Sequence, residues 1–244
     1  MNSNDFSQAV LEFYNAHGRK DLPWQIEKTH YRVWVSEVML QQTQVATVIP
    51  YYQKFMTSFP SVKQLAAATV DDVLAHWSGL GYYSRARNLH KCAQTIMSDY
   101  GGIWPNNVDE LEALPGIGRS TAGAIHSLAT GQPATILDGN VKRVLCRVFG
   151  VEGWPGQTKV HKQLWQIADE MTPQSRVDEY NQAMMDLGAT LCTRRNPGCT
   201  RCPLVDNCHA YATGSQHQLP NSKPKKIKPV KASHFLILRH GNQV

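Results

Sequence analysis

The stretch Leu114-Pro-Gly-Ile-Gly-Arg-Ser-Thr-Ala-Gly-Ala-Ile-His126, running on to Leu137-Asp-Gly-Asn-Val-Lys-Arg-Val144, decides how the rest of the chain is read. Its first half predicts a helix ending at Leu114, a hairpin Pro115-Gly116-Ile117-Gly118 and a second helix starting at Arg119. Gly116 and Gly118 let the backbone turn tightly and approach a ligand, while the free N–H groups and positive dipole end of the second helix face whatever sits there. That is an anion site, most simply for a phosphate. An ordinary turn between two helices can carry the same Gly-x-Gly. The neighbours favour a ligand: Ile117 gives the hairpin an apolar plug, Arg119 adds charge, and Asp138 with Asn140 opens another helix one helix later.

With 244 residues, 42% of them hydrophobic, the chain can bury a full core in one or two domains. No apolar run approaches the roughly twenty residues that span a bilayer, and the start Met-Asn-Ser-Asn-Asp lacks the basic-then-apolar pattern of a signal peptide. A cytoplasmic, reducing location without a membrane partner is expected. The formal charge of +6 invites a nucleic-acid partner, yet all six excess charges (Lys223, Lys225, Lys226, Lys228, Lys231 and Arg239) lie in the tail. Local clustering is more telling. Arg85, Arg87 and Lys91 stand without an acid between His76 and Met97, and Lys142, Arg143 and Arg147 follow Asp138 without one. A solvated helix face would show the same runs.

Upstream, Phe6, Val10, Phe13 and Tyr14 recur at helical spacing and predict a helix over residues 6–17 closed by Gly18. The loop Arg19-Lys-Asp-Leu-Pro-Trp24 follows, where a Trp after Pro reads as a packing plug. One helix is expected from about Tyr31 to Ile49, with Glu37 the single carboxylate in its apolar run and Glu37, Gln41 and Gln44 on one face beside Leu40. Such a stripe is the polar side of an amphipathic helix, but a carboxylic acid in apolar surroundings is also a proton donor near neutral pH. After Pro50 the chain is expected to stay helical, with breaks at Phe59-Pro60-Ser61 and Gly79-Leu80-Gly81. The second break presents Tyr82 and Tyr83 beside a basic helix, where aromatics either cap the core or wedge between bases. Helix is expected again over residues 158–191, with Gln182 and Met185 one turn apart.

The most specific local signal is Cys192-x6-Cys199-x2-Cys202-x5-Cys208. Four thiols so close in a reducing compartment indicate a metal centre before disulfides, and zinc is the generic occupant. Cys92 and Cys146 read as small buried residues, and Arg194, Arg195 and Arg201 as a basic knuckle projecting from the loop. From Thr213 the composition turns to Ser, Gln, Pro and Lys, a linker. The final His234-Phe-Leu-Ile-Leu-Arg-His-Gly-Asn-Gln-Val244 reads as a strand and hairpin turn. One strand cannot bury its apolar face, so the chain is expected to be the catalytic portion of a longer protein.

Together, Leu-Pro-Gly-x-Gly followed about twenty residues later by Asp138, the Gly18-Arg-x-x-Leu-Pro-Trp24 loop, the Ser36-Glu-Val-Met-Leu-Gln-Gln-Thr-Gln-Val45 string and the 6-2-5 cysteine spacing resemble the helix-hairpin-helix DNA glycosylases, specifically their A/G-mismatch adenine (MutY) branch. The resemblance implies an all-α fold with a [4Fe–4S] cluster held by Cys192, Cys199, Cys202 and Cys208. It implies a helical domain over 22–132, a cluster domain from 1–21 plus 133–212, a basic linker over 213–233 and the start of a MutT-like domain at 234–244. It further implies a monomer acting on double-stranded DNA that carries adenine opposite guanine or 8-oxoguanine. Glu37 would protonate a flipped adenine and Asp138 would stabilise the sugar cation. Arg19, Trp24, Leu40, Ser120, Asn140, Gln182 and Met185 would line the substrate pocket. Gln41, Tyr82, Arg85, Gly116, Gly118 and Lys142 would hold DNA. Two alternatives stay open: an endonuclease III-like pyrimidine glycosylase with lyase activity, which places Lys where Ser120 stands, and a non-catalytic DNA-binding module.

Overall fold

The structure, a computed structural model, describes residues 1–224 together with positions 236 and 241. The strand expected at 234–244 and most of the basic tail lie outside the described residues. Among the described residues the fold is helical. It comprises α1 (Ser3–His17), α2 (His30–Leu40), α3 (Val45–Ser58), α4 (Val62–Ala67), α5 (Val70–Trp77), α6 (Ser84–Asp99), α7 (Val108–Glu112), α8 (Arg119–Thr130), α9 (Gly139–Phe149), α10 (Thr158–Met171), α11 (Val177–Asp186) and α12 (His209–Ala212). No helix among them is long and apolar enough to cross a membrane.

Local chemistry sets most of the boundaries. Asn2, Thr29, Ser61, Thr69, Asn107 and Asp138 each accept a backbone N–H of the first helical turn that follows. Gly131 and Gly150 end α8 and α9 in the left-handed conformation. Gly18 closes α1 in an extended conformation instead, and a Cβ there would run into the Tyr14 ring and carbonyl oxygen.

Packing brings distant segments together. Helix α2 lies against α8, α3 and α6, while α11 lies against α8, α9 and α1, so the N-terminal helix packs on the C-terminal third of the chain. Trp34, Met39, Phe55, Trp77 and Ile125 are fully enclosed in this core, each worth about 1.5–3 kcal/mol of burial. Cys92 and Cys146 are indeed buried there.

Three expected helices differ. The helix expected over 31–49 is two, broken at Gln41–Gln44, where Gln42 takes a φ of +58°. The cause is Arg85, whose Nη1 donates to the carbonyls of Val38, Met39 and Gln41 at 3.0, 2.9 and 2.6 Å and so satisfies the end of α2. Glu37 therefore shares no continuous helical face with Gln41 and Gln44. Pro50, expected as a boundary, lies inside α3. The helix over 158–191 is interrupted at Thr172–Arg176, where Arg176 has a φ of +53°, and beyond α11 it widens into a π turn over Leu187–Leu191.

Candidate active site

Glu37 stands on the last turn of α2 and Asp138 at the N-cap of α9, near enough for the charge of one to act on the other. Protein packed around the Glu37 carboxyl raises its pKa to about 8, burial being the main cause and the Asp138 charge the second. Asp138 accepts from Val141 N at 2.8 Å and from Asn140 Nδ2 at 3.1 Å. Both carboxyls are thus raised by desolvation, Glu37 far enough to keep its proton at neutral pH, while Asp138 is furnished with donors that partly offset its burial and favour its anion. Such a pair can give up a proton on one side and stabilise a developing cation on the other.

The Asp138 corner is held from three directions. Ser120 Oγ accepts the Leu137 N–H at 2.9 Å, one residue before the carboxylate. Arg143 Nη2 donates to Asn140 Oδ1 at 2.9 Å and to the Gly188 carbonyl at 2.6 Å, while its Nε reaches the Cys192 carbonyl at 2.7 Å. Gly188 must be glycine, because a Cβ there would lie 2.5 Å from that of Asn140. In the sequence Arg143 was only one of a basic run. Arg147 of the same run is likewise turned inward and donates to the carbonyls of Leu219, Thr193 and Arg194. The charge expected on the surface after Asp138 is thereby reduced to the half-buried Lys142.

Arg19 and Gln182, 163 residues apart in the chain, meet on one carboxylate that the sequence reading passed over. Asp186, fully buried, accepts Arg19 N at 2.8 Å, Arg19 Nε at 2.9 Å, Arg19 Nη2 at 2.6 Å and Gln182 Nε2 at 2.9 Å. The i, i+4 spacing of Gln182 and Asp186 on a helix was the available signal. Trp24 is buried edge-on against Tyr52, with centroids 5.4 Å apart, so it is a packing plug whatever else it does. Leu40 and Met185 are half-buried against the core.

The hairpin forms where expected, one turn after α7 ends at Glu112. Gly116 adopts a φ of +78°, and a Cβ would press on Asn88 at 2.7 Å; at Gly118, the N-cap of α8, a Cβ would meet only open space. The first glycine is demanded by the fold, and the second leaves room before a helix N-terminus. Gln41, Gln42, Tyr82, Asn88, Pro115 and Gly116 line one cleft. Tyr82 is exposed and holds a φ of +50°, an unfavourable conformation for an aromatic residue. Arg85, expected to hold DNA, is instead buried. Besides the three carbonyls above, its Nη2 donates to Thr43 Oγ1 and to the Leu80 and Gly81 carbonyls at 3.2 Å each, which directs its charge into the protein.

Cys192, Cys199, Cys202 and Cys208 line one pocket with Arg147, whose Nη1 donates to Cys192 Sγ at 3.3 Å. Burial, and then the other thiols, push Cys202 up to about 12, so a thiolate here calls for a compensating cation. Four soft sulfur donors around one pocket beside a buried guanidinium suit an iron–sulfur cluster. Among the described residues no three ligating side chains converge on a single-ion site. Arg194, Arg195 and Arg201 are exposed on the same loop.

A hairpin between helices, together with a pair of neighbouring carboxyls of which one caps a helix, defines the class: the family model of the HhH-GPD superfamily base excision DNA repair proteins matches residues 35–170. The adenine DNA glycosylase of Buchnera aphidicola from Acyrthosiphon pisum is 50% identical over 237 residues, covering 97% of this chain and 68% of that protein. The human adenine DNA glycosylase is 44% identical over 223 residues, 88% of this chain and 41% of that protein. Among solved structures, a thermostable thymine-DNA glycosylase superposes with a TM-score of 0.78 at 29% identity, over 86% of this chain and 97% of that one. Endonuclease III, in a DNA complex, shares the fold at a TM-score of 0.72 and 22% identity, over 88% of this chain and 98% of that one. The chain belongs to the HhH-GPD superfamily and, within it, to the adenine DNA glycosylases.

Proposed function

We propose that the protein removes adenine from DNA where it is mispaired with guanine or 8-oxoguanine, by hydrolysing the N-glycosidic bond without lyase chemistry. The observation that carries this is the Glu37–Asp138 carboxyl pair, in a chain of the adenine DNA glycosylase family. The hairpin amides at Gly116 and Gly118 grip a phosphate, with Gln41 and Tyr82 entering the duplex at the mispair and Lys142 near the backbone. The adenine swings out of the stack into a pocket formed by Arg19, Trp24, Leu40, Ser120, Asn140, Gln182 and Met185. Glu37 donates its proton to the purine ring as the carbon–nitrogen bond breaks, and the Asp138 carboxylate stabilises the oxocarbenium-like sugar that water then captures. Ser120 offers a hydroxyl already engaged with the Leu137 N–H, where an amine would be needed for a Schiff base.

In this reading residues 1–21 with 133–212 form one lobe and 22–132 the other, which the packing of α1 on α10 and α11 supports. Cys192, Cys199, Cys202 and Cys208 hold a [4Fe–4S] cluster, whose contribution is to shape the basic loop of Arg194, Arg195 and Arg201 for DNA. The protein works as a cytoplasmic monomer. The test is single-turnover excision from duplexes carrying adenine opposite guanine, adenine opposite 8-oxoguanine, and thymine glycol. Release of adenine from the first two and no cleavage of the third is expected. Action on thymine glycol with strand nicking would favour the endonuclease III-like alternative.

A further inference from the structure

Asp186 is buried completely, and its carboxylate receives four hydrogen bonds from two residues, Arg19 and Gln182. An ionised carboxylate only accepts, whereas a glutamine amide has a donating nitrogen and an accepting oxygen at nearly the same place. With its Oδ1 shared between the Arg19 guanidinium and Gln182 and its Oδ2 taken by the Arg19 N–H, Asp186 tolerates only the nitrogen of Gln182, here at 2.9 Å. The amide is thereby fixed in one of its two orientations, with Oε1 turned away from Asp186.

We infer that Asp186 is a positioning residue for purine selection: it orients the Gln182 amide so that the pocket meets an accepting oxygen, and it anchors Arg19 with the same carboxylate. This rests on the reading of Gln182 as a pocket residue proposed above. An accepting oxygen favours a purine with an exocyclic amino group, as in adenine, over a 6-oxopurine, whose oxygen would face it lone pair to lone pair. A buried polar mismatch of this kind is how a binding site rejects a near-isostere. If Gln182 alone sufficed, its amide could rotate by half a turn and accept either base.

The test compares single-turnover release of adenine and of hypoxanthine, each opposite guanine, by the full chain and by its variants. Asp186→Asn removes the acceptor-only partner and frees the amide, so the adenine-to-hypoxanthine rate ratio should fall by about tenfold or more. The ratio is independent of the active fraction. A purely structural Asp186 would lower both rates together and leave it unchanged, which would overturn the inference. Asp186→Glu keeps an acceptor-only group and should hold the ratio above that of Asp186→Asn; equal ratios would also overturn it. Should the variants not fold, the parent protein decides. The side-chain amide of Gln182, assigned by its disappearance in Gln182→Met, should show one proton protected from exchange, and two freely exchanging protons would refute the orientation. A parent that releases no adenine would instead sink the proposed function, and the amide measurement still judges the positioning separately.

Discussion

Replacing Glu37 by Gln should make the protein more stable at neutral pH while destroying its activity, and the size of the gain follows from the structure. In the unfolded chain Glu37 ionises around 4.5, whereas in the folded protein burial and then Asp138 keep it protonated to about 8. Between those values the unfolded state holds fewer protons than the folded state, so stability falls as pH rises through that window, with a slope approaching about 1.4 kcal/mol per pH unit from this residue. By pH 7 the accumulated penalty is about 3 kcal/mol, taking the gap from 4.5 to neutrality. A glutamine side chain has the same shape and no proton to lose. The stability difference between Glu37→Gln and the parent should therefore be small at pH 4.5, grow steadily to roughly 2–3 kcal/mol at pH 7 and level off above pH 8. Urea unfolding of both proteins across that range measures it. A difference that stays flat with pH would show that the carboxyl is ionised in the fold and refute the argument. The same variant should bind the mispair as the parent does and release no adenine, and turnover at the parental rate would remove Glu37 as general acid. In the parent, single-turnover release should decline as pH rises through about 8, because the form that donates is the protonated one.

Arg85→Met should destabilise the fold by about 3 kcal/mol, since it strips the carbonyls at the end of α2 of their partner, and leave the salt dependence of DNA binding unchanged; Arg87→Ala, on the exposed neighbouring residue, should do the reverse, and a reduced salt slope in Arg85→Met would contradict its structural placement. Gly116→Ala, at a φ of +78° and 2.7 Å from Asn88, should lose roughly 1–3 kcal/mol of stability, whereas Gly118→Ala should fold normally and weaken DNA affinity. The purified protein should be yellow-brown with broad visible absorbance, and Cys199→Ser should lose that colour and DNA affinity before it loses chemistry; a colourless parent with one zinc per chain would rule out the cluster. Borohydride should trap no DNA adduct efficiently, weak trapping through the amine of nearby Lys142 aside, and efficient trapping by the parent protein would overturn the hydrolytic assignment.

Some of this molecule was legible residue by residue. The hairpin at Pro115–Gly118, the cap at Asp138 and the closing glycines depend on the backbone freedom of one residue and on partners three or four positions away, so they can be read locally. The family followed from strings that lie unbroken in the chain, and the four cysteines from their spacing alone. The tertiary structure decided what depends on distant partners. It split the helix expected over 31–49, because Arg85, 44 residues beyond Gln41, claims the carbonyls that would have continued it. It turned Arg143 and Arg147 from a surface basic patch into internal clasps, on Asn140 and Gly188 and on the carbonyls around the cysteine loop. It joined Arg19 to Asp186 across 167 positions, making a buried carboxylate the common anchor of Arg19 and Gln182, the two residues proposed for the pocket. The divided surroundings of Glu37 and Asp138 belong to the same class. A side chain's type is written in the sequence, but its desolvation and the donors around it are set by which helices pack there, and no local pattern encodes that.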